Sequence, residues 1–151
     1  MSNRALIVEN DPGTIELLKA HLAEVSDHIQ VLTDSRQVEQ VFKDFEPDIV
    51  VLNLHMPDPD GLEVLRRLRS ARESLGYLPV VVLTGDTSKV ARNAALILGA
   101  DDFLTKPLDQ QEVVLRVRNL LHTRHLFEEA RAVAGRRFSD SVGQGSRLTQ
   151  V

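Results

Sequence analysis

Four short segments carry side chains suited to phosphoryl chemistry, and each directly follows an apolar run. Glu9-Asn10-Asp11 follows ALIV at 5–8, Asn53 closes DIVVLN at 48–53, Thr84-Gly85 closes PVVVLT at 79–84, and Lys106-Pro107 follows DFLT at 102–105. Together they supply an acid, two amides, a hydroxyl and an ammonium. A carboxylate can attack phosphorus through an oxygen, and Mg2+ takes charged oxygen ligands while keeping several waters. Thr84 and Lys106 could hold a phosphate. Asn53 stands in VVLNLHMPDPDG, residues 50–61, where that chemistry would call for a carboxylate. An amide oxygen is a far weaker nucleophile, and an amide has no charge with which to form an acyl phosphate. Singly, each residue has a plainer use: Asn53 caps a loop, Thr84 bonds the backbone, and a lysine before proline is solvated.

The elements that must bring these residues together follow from hydrophobic pattern. The apolar runs at 5–8, 29–33, 48–53, 79–84 and 102–105 predict strands, the second being the weakest. Runs such as IVVL and VVVL are β-branched and do not alternate with polar residues, which suits strands covered on both faces of a parallel sheet. Between them, residues 12–25, 36–45, 61–74, 87–98 and 109–133 show helical spacing, with Pro12 at a first turn and Gly99 as a stop. The order βαβαβαβαβα predicts a doubly wound α/β domain with five parallel strands, whose ligands sit at the carboxyl ends of the strands. The apolar spacing of the last helix loosens past Leu121, with no breaker before Gly135. Residues 139–151 read as disordered from composition.

Bulk properties exclude several classes. With 151 residues the chain fits one domain with some tail, and its net charge of −4 gives no reason to bind nucleic acid or an anionic membrane. No apolar run approaches a membrane span. The absence of cysteine removes disulfides, thiolate catalysis and cysteine zinc sites. No Ser/His/Asp set, HExxH or glycine-rich phosphate loop occurs. The expectation is a soluble cytoplasmic domain.

The segments LIVEND (6–11), PDIVVLNLHMPDPDGLEVL (47–65), VVVLTGD (80–86) and GADDFLTKP (99–107) resemble the receiver domain of two-component response regulators. The resemblance spans residues 3–122, followed by a helical extension at 123–134 and a disordered tail or truncated linker at 135–151. It implies the flavodoxin-like (βα)5 fold and a signalling module rather than an enzyme. In that family an acidic pair follows the first strand, and an aspartate ending the third takes a phosphoryl group from a histidine kinase. Here the pair maps to Glu9 and Asn10, and the acceptor position to Asn53. Thr84, Phe103 at the family's switch position, and Lys106 complete the phosphate pocket. By the same resemblance the metal ligands would be Glu9, Asn10, Asn53 and the backbone carbonyl of His55, whose side chain is expected to face solvent. With two amides, no cofactor is expected, Mg2+ binds only weakly if at all, and Lys106 has Glu9 as its best partner. Asp58, Asp60 and Asp11 are alternative acceptors; their plainer roles are shaping the turn and capping a helix.

A further set, Arg92, Asp101, Asp102, Glu112, Arg116 and Arg118, lies on the fourth helix, fifth strand and fifth helix. By resemblance to receivers with winged-helix outputs it implies a homodimer with cross-pairs Arg92–Glu112, Asp102–Arg116 and Asp101–Arg118. The plainer reading is a solvated charged face. The expected function is a pseudo-receiver, unphosphorylated at Asn53 and acting through protein–protein contact. The alternatives are a conventional receiver with aspartates deliberately replaced, a fragment of a larger regulator lacking its output domain, and a small α/β enzyme for a phosphorylated ligand. The sequence names neither the partner kinase nor the output.

Overall fold

The computed structural model describes residues 3–72, 76–85 and 89–149, with side chains apart from residue 72 and residues 138–149. Asp86 of the VVVLTGD segment lies outside the described residues, as do residues 150 and 151. Five strands form one parallel sheet: β1 (Arg4–Val8), β2 (His28–Leu32), β3 (Ile49–Asn53), β4 (Val80–Thr84) and β5 (Asp102–Thr105), in the order β2-β1-β3-β4-β5. Five helices alternate with them: α1 (Pro12–Leu22), α2 (Val38–Phe45), α3 (Gly61–Arg72), α4 (Lys89–Ile97) and α5 (Gln110–Thr149). This is the flavodoxin-like receiver fold.

The unbroken apolar runs are explained by two cores, one on each face. Leu6, Val8, Val50, Leu52, Val80 and Val82 point to the face that also buries Val64 and Leu68 of α3 and Ala95 of α4. Ala5, Ile7, Val51, Val81 and Leu83 point to the other, against Leu18 and Leu22 of α1 and Val113, Val117 and Leu121 of α5. Each fully buried Leu, Ile or Val contributes about 2 kcal/mol relative to exposure, so neither face can be left uncovered. The weakest run, β2, takes an edge of the sheet and is half exposed. Asp11 caps α1, accepting from the Thr14 amide at 2.9 Å, with Pro12 in the first turn.

The last helix departs from the sequence reading. It continues through Gly135 to Thr149. A single glycine costs a helix only about 1 kcal/mol relative to alanine, which does not end it.

Candidate functional site

The sheet order reverses between β1 and β3, which opens a crevice at their carboxyl ends. Glu9 leaves β1 there with its side chain fully buried. One oxygen, Oε1, accepts three hydrogen bonds: from the Asn10 amide at 3.0 Å, the Asp11 amide at 3.1 Å and Asn53 Nδ2 at 2.8 Å. The other, Oε2, makes no hydrogen bond and stands 3.5 Å from Lys106 Nζ. Glu9 is thus the partner of Lys106.

Asn53 ends β3 and is 3% exposed. Its Oδ1 accepts from the His55 amide at 3.0 Å while its NH2 faces the Glu9 carboxylate. The reverse orientation would set an amide oxygen against a carboxylate oxygen and leave the His55 amide facing a donor, so the bonding pattern fixes the amide. Asn53 therefore presents a donor where an acceptor aspartate would present a nucleophilic oxygen.

Thr84 ends β4, is buried, and accepts on its carbonyl from the Lys106 amide at 3.1 Å. That bond ties β5 to β4 and places Lys106 at the crevice. His55 is exposed, yet its ring does not simply face solvent: Nε2 comes within 3.4 Å of Thr84 Oγ1. Asn10 is exposed at the rim. Phe103 is half buried on β5, with the Arg92 guanidinium 5.2 Å from its ring centroid, a cation–π distance.

Two supports of the site carry no chemistry of their own and escaped the sequence reading. Gly61 donates to the Leu54 carbonyl at 3.0 Å, and a Cβ there would lie 2.3 Å from Leu54 Cα. Only glycine lets the loop after β3 fold back this closely. Buried Ser35 donates from Oγ to the Pro59 carbonyl at 2.7 Å, holding the same loop from the other side.

The alternative acceptors have structural work. Asp60 Oδ1 accepts from the Glu63 amide at 2.9 Å at the start of α3. Asp11 bonds both the amide and the hydroxyl of Thr14, which lowers its carboxyl pKa. Asp58 is exposed in the loop.

The donor set does not match a hard divalent cation. One formal charge, on Glu9, lies at the centre; one of its oxygens is saturated by donors and the other is faced by an ammonium. Among the described residues no group of three His, Asp or Glu side chains could hold a metal ion.

Several residues of the charged face have partners within the chain. Asp101 is turned inward: Oδ2 accepts from Arg69 Nη2 and the Val80 amide, both at 2.7 Å. Arg118 lies beside Glu24 and Leu121, on the α1 side of α5. Arg116 bonds Asp102 at 2.8 Å and Glu112 at 3.1 Å within the chain. Local sequence cannot distinguish such internal pairs from pairs across an interface.

The chain matches the family model of the response regulator receiver domain over residues 5–118. It is 39% identical over 118 residues to the transcriptional regulatory protein TrcR of Mycobacterium tuberculosis, covering 78% of this chain and 45% of that protein. It is 37% identical over 140 residues to the response regulator MprA of Mycolicibacterium vanbaalenii, covering 93% of this chain and 59% of MprA. The chain therefore spans about half the length of the curated relatives it matches. The fold also matches the signal receiver domain of a LuxO repressor protein from Vibrio parahaemolyticus, with a TM-score of 0.78 at 23% identity, covering 86% of this chain and 98% of that one.

Proposed function

Because the chain belongs to the response regulator receiver domain family, we propose that it is a phosphorylation-independent receiver, acting in the cytoplasm through protein contact. The family is a signalling module of two-component systems, not a catalytic enzyme, which disposes of the phospho-ligand enzyme reading. Its regulators partner with histidine kinases. The observation that carries the proposal is the 2.8 Å bond from Asn53 Nδ2 to Glu9 Oε1. It occupies the position of the missing chemistry: the amide donates to the one carboxylate that could have joined a metal. With Lys106 as counter-charge, the pocket is balanced without Mg2+ or a phosphoryl group.

The test is intact mass after incubation with Mg2+ and a small acyl-phosphate donor. No added phosphoryl group is expected. A stoichiometric adduct overturns the reading and sends the search to Asp58, Asp60 and Asp11.

A second element of the proposal is homodimerisation through the α4–β5–α5 face. Its support now comes less from charged pairs than from Val90, Leu96 and Ile97 of α4, 81%, 53% and 85% exposed. Apolar residues exposed together at this level mark a contact surface. Ile97→Glu should lower the association constant measured by sedimentation; an unchanged constant removes this face from the proposal.

A further inference from the structure

Leu121 is the last core residue of α5, yet the helix continues to Thr149. Its root is clamped to the body. Arg124 Nε bonds Asp48 Oδ1 at 3.0 Å, the same guanidinium bonds the Tyr77 carbonyl, and the Tyr77 and Phe127 rings lie 5.8 Å apart. On another side of the helix, Leu126 is 51% and Val133 38% exposed. With Glu129, Ala130, Ala134 and Arg137 they line one groove along the helix. A helix standing clear of its domain is marginal in water and takes its stability from packing an apolar face.

We propose that this groove is covered by the same helix of a second copy, packed antiparallel. Leu126, Ala130, Val133 and Arg137 are spaced by four, three and four residues, the spacing of seam positions in a coiled coil. Glu129 and Arg136 flank that seam on one side, and Phe127 and Ala134 on the other. In an antiparallel pair with Ala130 against Val133 of the second copy, Glu129 meets Arg136 of the second copy. Two-fold symmetry makes that pair twice. Phe127 then meets Ala134, large against small, and Leu126 lies under the aliphatic stem of Arg137. Other arrangements fail on charge. A slip of one heptad sets Glu129 against Glu129 in one direction and Arg136 against Arg136 in the other. A parallel pair sets Arg137 against Arg137 and leaves Glu129 opposite Ala134. Charge selects the one antiparallel register.

The inference goes beyond the receiver reading and stands whether or not Asn53 resists phosphorylation. The second copy's helix runs back along the side of α5 that carries Glu112 and Arg116. In one pair of chains this contact and the α4–β5–α5 contact therefore exclude each other.

The chain has no cysteine, so crosslinking of the full chain is unambiguous. Ala130→Cys and Val133→Cys chains are mixed and mildly oxidised, and a mixed disulfide dimer is expected to dominate. Crosslinking of Ala130→Cys chiefly with itself indicates a parallel pair and overturns the proposal. No crosslink means that another partner covers the groove, and also overturns it. Glu129→Arg should cut the mixed crosslink roughly tenfold, because both rim pairs are lost together. Glu129→Arg with Arg136→Glu should restore it, and failure to restore overturns the register. Ile97→Glu should leave the crosslink intact. Its loss would assign the contact to the receiver face instead.

Discussion

The two edges of the sheet treat carboxylates in opposite ways. At the amino edge, Asp101 precedes β5 and Asp48 precedes β3, and both are bonded on both oxygens. Asp101 takes Arg69 and the Val80 amide on Oδ2 and the Tyr77 hydroxyl at 3.2 Å on Oδ1. Asp48 takes the Arg4 amide at 2.7 Å on Oδ2 and Arg124 on Oδ1. At the carboxyl edge, where a receiver would gather acids around a metal, Asn10 and Asn53 are amides. The buried carboxylate, Glu9, keeps an oxygen without a hydrogen bond. Charge persists where it closes the fold and is thinned where it would have served phosphoryl transfer. A buried acid is tolerated when donors surround it; Glu9 is buried here with three donors on one oxygen and the Lys106 ammonium 3.5 Å from the other.

The sharpest break of this contrast is at the amino edge. Asp101→Ala leaves the Arg69 guanidinium, 14% exposed, without its carboxylate. Removing one partner of a mostly buried pair costs about 3 kcal/mol or more. Chemical denaturation should register that loss, whereas Asp102→Ala, which breaks a more exposed pair, should cost under ~1 kcal/mol. Equal losses would mean that the amino edge is no more structural than the surface.

At the carboxyl edge the largest effect should come from Gly61→Ala, which touches no chemical group. The added Cβ meets Leu54 Cα at 2.3 Å and the Asn53 carbonyl at 2.5 Å, and backbone must move. A cost of about 2 kcal/mol is expected, within the range for overpacking. A shift of the Asn53 amide resonances should accompany it, because the loop and the strand end move together.

Restoring acids sharpens the comparison further. Asn53→Asp sets a second carboxylate against Glu9, and the pair should hold a proton to higher pH than an isolated acid. A group whose folded pKa is raised gives stability at low pH that is lost as pH rises through that pKa. The variant should therefore fall behind the parent from acid to neutral pH, by about 1–2 kcal/mol for a shift of about one unit. Mg2+ should not close the gap while residue 10 is an amide. Asn10→Asp with Asn53→Asp should recover Mg2+-dependent stabilisation and accept a phosphoryl group by intact mass. If the single variant does so alone, Asn10 does not set the response to Mg2+.

Much of this was legible from sequence, for a definite reason. The strand runs at 49–53 and 80–84 are β-branched and unbroken because both their faces are covered, and the functional residues follow them directly. The pairing of Lys106 with Glu9 followed from charge once the fold was known. What sequence hid was partnership across distance. Asp48 and Arg124 are separated by 76 residues, and each alone reads as solvated. Asp101 stood beside Asp102 in a charged stretch, and nothing local says that one faces Arg69 inside and the other Arg116 at the surface. Ser35 gave no signal because its acceptors are backbone carbonyls in a loop 22 and 24 residues away. The polar, glycine-containing composition past 135 reads as a tail, whereas the helix runs on to Thr149; composition alone does not report a helix that continues from a packed one.

The smallest effect belongs to Glu63, an acid that lies in neither edge. Its Oε1 is 2.5 Å from Arg66 Nη2 and 3.1 Å from Arg67 Nε, on the exposed side of α3. Hydrogen bonds from those two guanidinium groups pull its carboxyl from 4.5 down to about 2. A folded pKa below the unfolded one gives stability that is complete above 4.5 and lost as pH falls toward 2. Glu63→Gln should therefore flatten the acid limb of the stability curve within that window and change little at neutral pH. Because solvent screens the pair, raising salt should shrink even this difference. A parent and variant with parallel acid limbs at low salt would mean that the two arginines do not hold Glu63 in solution. Acid sensitivity would then have to be sought in the buried carboxylates at the two edges of the sheet.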